Sequence, residues 1–177
     1  AATVAPGSVV QPAIYPLGDT DWYKVTAPDT GYLFVRATEV PEPIRPEVRF
    51  ALLQDMGEVK ELRHWHKIPD GCRVAKGDTY VQLIDDFNDK CSEKPFKLKI
   101  DFLPEFDTGE PNGRMDEATQ IESGVVREAA IFPLGDSDWF KLACGGQGYV
   151  EVKADGVPGD IKPEVRFCLR QDDGTEK

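Results

Sequence analysis

The chain is predicted to be all-β, with antiparallel β-sandwich or jelly-roll-like domains in tandem, and three observations predict it. Several stretches of strand length alternate apolar and polar residues or run apolar. Clusters of Gly, Pro and Asp separate them. The pattern returns at a fixed offset of 117 residues, so that AIYPLGDTDWYKV from Ala13 reappears as AIFPLGDSDWFKL from Ala130.

In chain order, the strands read as 22–26 (WYKVT), 32–37 (YLFVRA), 48–52 (VRFAL), 79–84 (TYVQLI) and 96–102 (FKLKIDF). The turns between them read as 17–19 (LGD), 28–31 (PDTG), 55–57 (DMG), 69–71 (PDG) and 76–78 (KGD), which supply the residues that tight connections need. No long stretch has helical periodicity, and the one helix-like segment, Met115 to Thr119, is short. Short strands at this spacing predict a sandwich or jelly roll.

From Ala13 to Lys60, 26 of 48 residues are identical to their partners 117 positions later. That period is too long for a solenoid and suits a small domain with its own core. The expected organisation is a first sandwich repeat over 1–103, an acidic Pro/Gly linker over 104–117, and the first half of a second repeat over 118–177. Lys177 corresponds to Lys60, so the second copy stops near its middle. Half a sandwich exposes strand edges and half a core. The expectation is that further chain, or another polypeptide adding its strands, supplies the rest.

The chain is 40% hydrophobic and 30% charged, with no apolar run near the ~20 residues that cross a bilayer, so no membrane insertion is expected. A net charge of -11 disfavours nucleic acid and anionic membrane surfaces. Cys144 and Cys168 fall on Ala27 and Ala51 of copy one, a paired difference that suggests a bond. Cys72 and Cys91 then form the remaining pair. No CxxC spacing points to zinc, and two intradomain disulfides imply an extracellular or periplasmic location.

The linker LPEFDTGEPNGRMDE, from Leu103, leads through ATQIESG into the GDSDWFKL strand. An acidic stretch with EPN, a Gly ahead of the first strand and a Gly-Asp-x-Asp-aromatic-aromatic strand resemble the bacterial pre-peptidase C-terminal (PPC) domain family. Gly77-Asp78-Thr79-Tyr80-Val81 and Phe96-Lys97-Leu98 stand where that pattern places its closing strands. Copy one lacks its own EPN lead-in, and the insert from Val40 to Pro46 and the His64-Trp65-His66 segment depart from the pattern.

The resemblance implies a jelly-roll-like accessory module of secreted proteins, often peptidases, that binds rather than catalyses. In members that bind collagen, calcium sits where the linker meets the first strand. Carried over residue by residue, its oxygen ligands are Glu110, Asn112, Asp136 and Asp138, with Asp107 a further donor. Calcium favours such hard oxygens on a flexible loop. The alternative is that these aspartates, like Asp19 and Asp21, bond turn amides.

Trp22 with Tyr23, and Trp139 with Phe140, form a possible ligand face for an extracellular polymer or surface protein. Alternation sends one aromatic of each pair inward and the other outward. Glu47 and Arg49, repeated as Glu164 and Arg166, read as a strand-face ladder. His64 and His66 would share a side of a strand, yet no third ligand is evident. GxSxG and HExxH are absent, so no enzyme is expected. The function read from sequence is a secreted, non-catalytic tandem module that binds a polymer or surface. A structural repeat of a larger surface or assembly protein, or an accessory domain of a secreted peptidase, is the alternative.

Overall fold

The structure, a computed structural model, describes residues 1–53, 59–61 and 65–168, without the side chains of Leu53, Val59 and Glu61. The turn read at 55–57 and His64 lie outside the described residues. The chain divides into two compact units, Ala1–Leu142 and Ala143–Lys177.

The first unit is built from strands. In order they are β1 (Ala2–Val4), β2 (Val9–Val10), β3 (Asp21–Ala27), β4 (Gly31–Thr38), β5 (Pro46–Leu53), β6 (Val59–Glu61), β7 (His66–Lys67), β8 (Asp70–Val74), β9 (Gly77–Asp85), β10 (Lys97–Pro104), β11 (Thr119–Ile121) and β12 (Phe140–Leu142). One sheet runs β1-β3-β9-β5-β6, with β7 also on β5; a second runs β2-β10-β4-β8; β11 and β12 pair by themselves. The five strands read from alternation are β3, β4, β5, β9 and β10, and their mutual pairings are antiparallel.

Alternation explains the core. Tyr23 and Val25, Val48 and Phe50, and Val81 and Leu83 point inward from the first sheet. They meet Leu33 and Val35, Cys72 and Val74, and Leu98 and Ile100 from the second. Each large apolar side chain sealed between the sheets contributes about 1.5–3 kcal/mol. Gly31 is required by close approach, since a Cβ there would lie 2.4 Å from the Leu103 carbonyl oxygen.

The repeat is visible in the backbone. β1 runs parallel to β3 with Ala2 opposite Tyr23, and β11 runs parallel to β12 with Thr119 opposite Phe140, the same register 117 residues later. Gly18 and Gly135 both take positive φ, +87° and +84°, in the turns that lead into these strands. From Ala143 to Cys168 the second unit holds bends and turns and no strand. In copy one, β3, β4 and β5 pair with β8, β9 and β10.

Two expectations are corrected. Pro69-Asp70-Gly71 is not simply a turn, because Asp70 and Gly71 open β8. Neither expected disulfide forms: Cys72, Cys91, Cys144 and Cys168 are all thiols. Cys72 sits in the core, while the segment holding Cys91 is fastened elsewhere, with the Ser92 N–H donating to the Ile14 carbonyl and the Phe96 N–H to that of Pro12. Ala27 and Ala51, the counterparts of Cys144 and Cys168, lie on strands separated by β9, opposite Gly77 and Tyr80. Ala27 faces inward with Val25, whereas Ala51 alternates with the inward Phe50 and so faces out. Two strand spacings alone are about 9.6 Å, beyond the ~7 Å Cα separation that a disulfide spans. In copy one these two positions are therefore too far apart to be bridged.

Candidate metal centre

The linker is stitched to the first strand of copy two. The Trp139 N–H donates to the Asn112 carbonyl at 2.8 Å, the Thr119 N–H to the Trp139 carbonyl at 2.9 Å, and the Thr119 hydroxyl to the Gly109 carbonyl at 2.9 Å. Asp107, buried, fastens both ends of this segment: Oδ1 accepts from the Gly109 N–H at 2.9 Å and Oδ2 from the Ala130 N–H at 2.8 Å.

These bonds bring carboxylates together. Oxygens of Glu110, Asp136 and Asp138 lie within 4.8 Å of one another. Asp136 pins its own turn, accepting from the Phe132 N–H and the Ser137 N–H, both at 2.9 Å. Asp19 does the same in copy one with the N–H groups of Tyr15 and Thr20. The turn-amide alternative thus accounts for one contact on each Asp136 oxygen. Asn112 is 1% exposed, and neither its Oδ1 nor its Nδ2 has a hydrogen-bond partner; Asp138 Oδ1 is likewise buried and unpartnered. Leaving such atoms unsatisfied costs about 1–3 kcal/mol each.

The electrostatics follow from crowding. Burial first, then the charges of Asp107, Asp136 and Glu110, push the Asp138 carboxyl up to about 6, although Asn112 beside it favours the charged form. Burial also raises Glu110, opposed by the Asn112 N–H that its Oε2 accepts at 2.9 Å. A cation here would relieve the repulsion and engage the two orphaned oxygens, Asn112 Oδ1 and Asp138 Oδ1, and a donor set of hard oxygens fits calcium.

Of the five residues read as ligands, the structure gathers Glu110, Asp136 and Asp138 as a cluster and sets Asn112 beside Asp138. Asp107 is spent on backbone amides and contributes charge. Sequence reasoning missed the aromatic cluster that packs the lead-in of copy two onto copy one. Tyr32, fully buried on the outer face of β4, stacks on Phe106 at 4.8 Å and meets Phe132 edge-on at 5.0 Å between centroids, and Phe34 lies 5.9 Å from Phe132. Arg73 and Glu105, paired at 2.6 Å, were missed too. Phe132 was legible only as the counterpart of Tyr15.

The aromatic pair of copy one divides as alternation requires, and that of copy two does not. Trp22 is half-buried beside Arg49, whereas Tyr23 is in the core; Trp139 is half-buried and Phe140 is 40% exposed. His66 Nδ1 lies 3.3 Å from Asp70 Oδ2 and belongs to no metal-ligating group among the described residues. Among those residues no helix is long and apolar enough to cross a membrane.

No family model matches the chain, and no curated protein matches it. Among solved structures, the pre-peptidase C-terminal domain of a collagenase from Bacillus anthracis matches with 10% sequence identity and a TM-score of 0.39, over 55% of this chain and 91% of that chain.

Proposed function

We propose that the chain is a non-catalytic, extracellular or periplasmic attachment module of the PPC type, stabilised by calcium where its two copies join. One observation carries the metal: a buried Asn112 amide and a buried Asp138 oxygen, both unpartnered, beside three carboxylates within 4.8 Å of one another. Two ligands across one calcium stand about 4.8 Å apart. Glu110, Asp136, Asp138 and the Asn112 carbonyl oxygen would hold it, tying linker to strand.

The partner in this reading is an extracellular polymer or surface protein. The aromatic contact of Tyr32, Phe106 and Phe132 favours a second reading, in which the repeats are links of a larger surface assembly and calcium stiffens the joint.

Calorimetric titration of calcium into the chelator-treated full chain tests the metal, with Asp138→Asn and Asn112→Ala as variants and thermal unfolding in parallel. The expected result is a binding heat and a raised Tm that both variants diminish. Absence of heat and of a Tm shift in the unmodified chain overturns it.

A further inference from the structure

On the outer face of the first sheet, away from the metal centre, Glu47, Trp65, Lys67, Asp86, Phe87 and Asn88 line an open groove of about 520 Å³. Both aromatic walls are held in place. The Arg49 guanidinium lies 5.0 Å from the Trp65 ring and 5.9 Å from that of Trp22, and donates to Gln82 Oε1. Phe87 stands on a turn fixed from both sides: Asp85, 1% exposed, accepts from the N–H groups of Arg45 and Lys90, each at 2.9 Å, and the Asp86 N–H donates to the Arg45 carbonyl at 2.7 Å.

That turn presents the Phe87 ring 84% exposed, with φ of 59° at Phe87 and 55° at Asn88. Left-handed backbone at two successive residues other than glycine costs stability and persists when surrounding contacts enforce it. The core gains nothing from this ring. An exposed aromatic on a fixed turn, lining one groove with a second aromatic, is a platform for a ligand with flat apolar faces.

The polar lining says which ligand. Asp86 pairs with Lys67 at 3.2 Å, and Arg45 stands 3.9 Å away. Burial, followed by the Asp86 charge, raises the Glu47 carboxyl. The carboxylates of Glu47 and Asp86 stand against the cations of Lys67 and Arg45, so charge is largely cancelled at the groove, while donors and acceptors of both kinds remain on Lys67, Asn88, Glu47 and Asp86. A basic segment would need uncompensated negative charge, and an extended polypeptide is best held by backbone hydrogen bonds, which these side chains do not supply. A neutral sugar ring has apolar C–H faces and a rim of hydroxyls, and it matches both features.

We propose that this groove binds a pyranose unit of a neutral polysaccharide, its face against Phe87 and Trp65 and its hydroxyls bonded to Glu47, Lys67, Asp86 and Asn88. This rests on the attachment reading and names its polymer. The test is calorimetry of the full chain with hexasaccharides of glucose, N-acetylglucosamine, mannose and galactose, and in parallel with a triple-helical Gly-Pro-hydroxyproline peptide. One hexasaccharide is expected to bind, with Phe87→Ala weakening it roughly tenfold at an unchanged Tm and Glu47→Gln weakening it less. No binding by any hexasaccharide, or equal binding by Phe87→Ala, overturns the proposal. If the peptide binds instead and survives Phe87→Ala, the sugar site falls and the attachment reading stands. If neither class binds, both fall.

Discussion

Tyr23 stands beside Asp21 on β3 and its hydroxyl favours the charged carboxylate, whereas the same pair 117 residues later, Phe140 and Asp138, has no hydroxyl to do so. Asp138 Oδ1 is buried without a hydrogen-bond partner and clusters with Glu110 and Asp136. Copy one thus has a donor beside its second aspartate that copy two lacks. Phe140→Tyr is expected to supply that donor and weaken calcium binding roughly tenfold, since a hydrogen bond to a charged group is worth about 1.5–3 kcal/mol. Calorimetry on the variant reads the change directly, and unaltered affinity would sever the link between this hydroxyl and the metal.

Without calcium, the crowded carboxylates oppose folding near neutral pH. Asp138 is raised to about 6 in the folded chain, against an ordinary value of 3.8, and Glu110 is raised in the same direction. The folded state therefore holds these protons more tightly than the unfolded state. The penalty is fully present above the folded value and is relieved as pH falls through about 6 toward 4. Calcium-free protein should gain stability between pH 7.5 and pH 5, of the order of 1 kcal/mol once partial solvent exposure of Asp138 is allowed for. Urea midpoints measure it. Saturating calcium should reverse the slope, because protons then compete with the ion.

Phe132 belongs to copy two by sequence but packs on copy one. Its ring meets Tyr32 and Phe106, and a Cβ on Gly71 would lie 3.3 Å from its Cζ. Phe132→Ala should cost about 2–4 kcal/mol of stability, less if the site collapses. Calcium affinity should fall with it, because the packed ring positions the backbone N–H, retained in the variant, from which Asp136 accepts. Urea unfolding and calcium titration of this one variant check both effects, and loss of stability with intact affinity would separate the aromatic joint from the metal.

This glycine shows where sequence reading stops. The five long strands were legible because burial on one face imposes a two-residue period on Tyr23 and Val25, or on Leu98 and Ile100. Gly71 beside Pro and Asp has turn composition. Its place on β8 is set by close neighbours, Phe34 and the Leu33 carbonyl on β4 and Phe132, 61 residues away, and no local pattern carries that. The carboxylate cluster was legible through the spacing of EPN and GDSD, which the repeat and the family resemblance brought into register. The groove at Phe87 was not, because its walls come from β5, the segment before β7 and the turn after β9, which only the sheet pairing assembles.

The cysteines make the last prediction. Cys144 and Cys168 are exposed, Cys91 is half-buried, and Cys72 is 5% exposed with its Sγ donating to the Arg73 carbonyl at 3.4 Å. Thiol reactivity follows exposure and thiolate character. Protein prepared without reductant should therefore show three thiols that react with a disulfide reagent in the native state and a fourth, Cys72, that reacts only on unfolding. The non-reduced intact mass should carry all four protons. A mass lower by two protons, with two fewer reactive thiols, would mean that a pair has closed. For Cys144 and Cys168 that would require an arrangement different from that of copy one, where Ala27 and Ala51 lie on opposite faces, two strands apart.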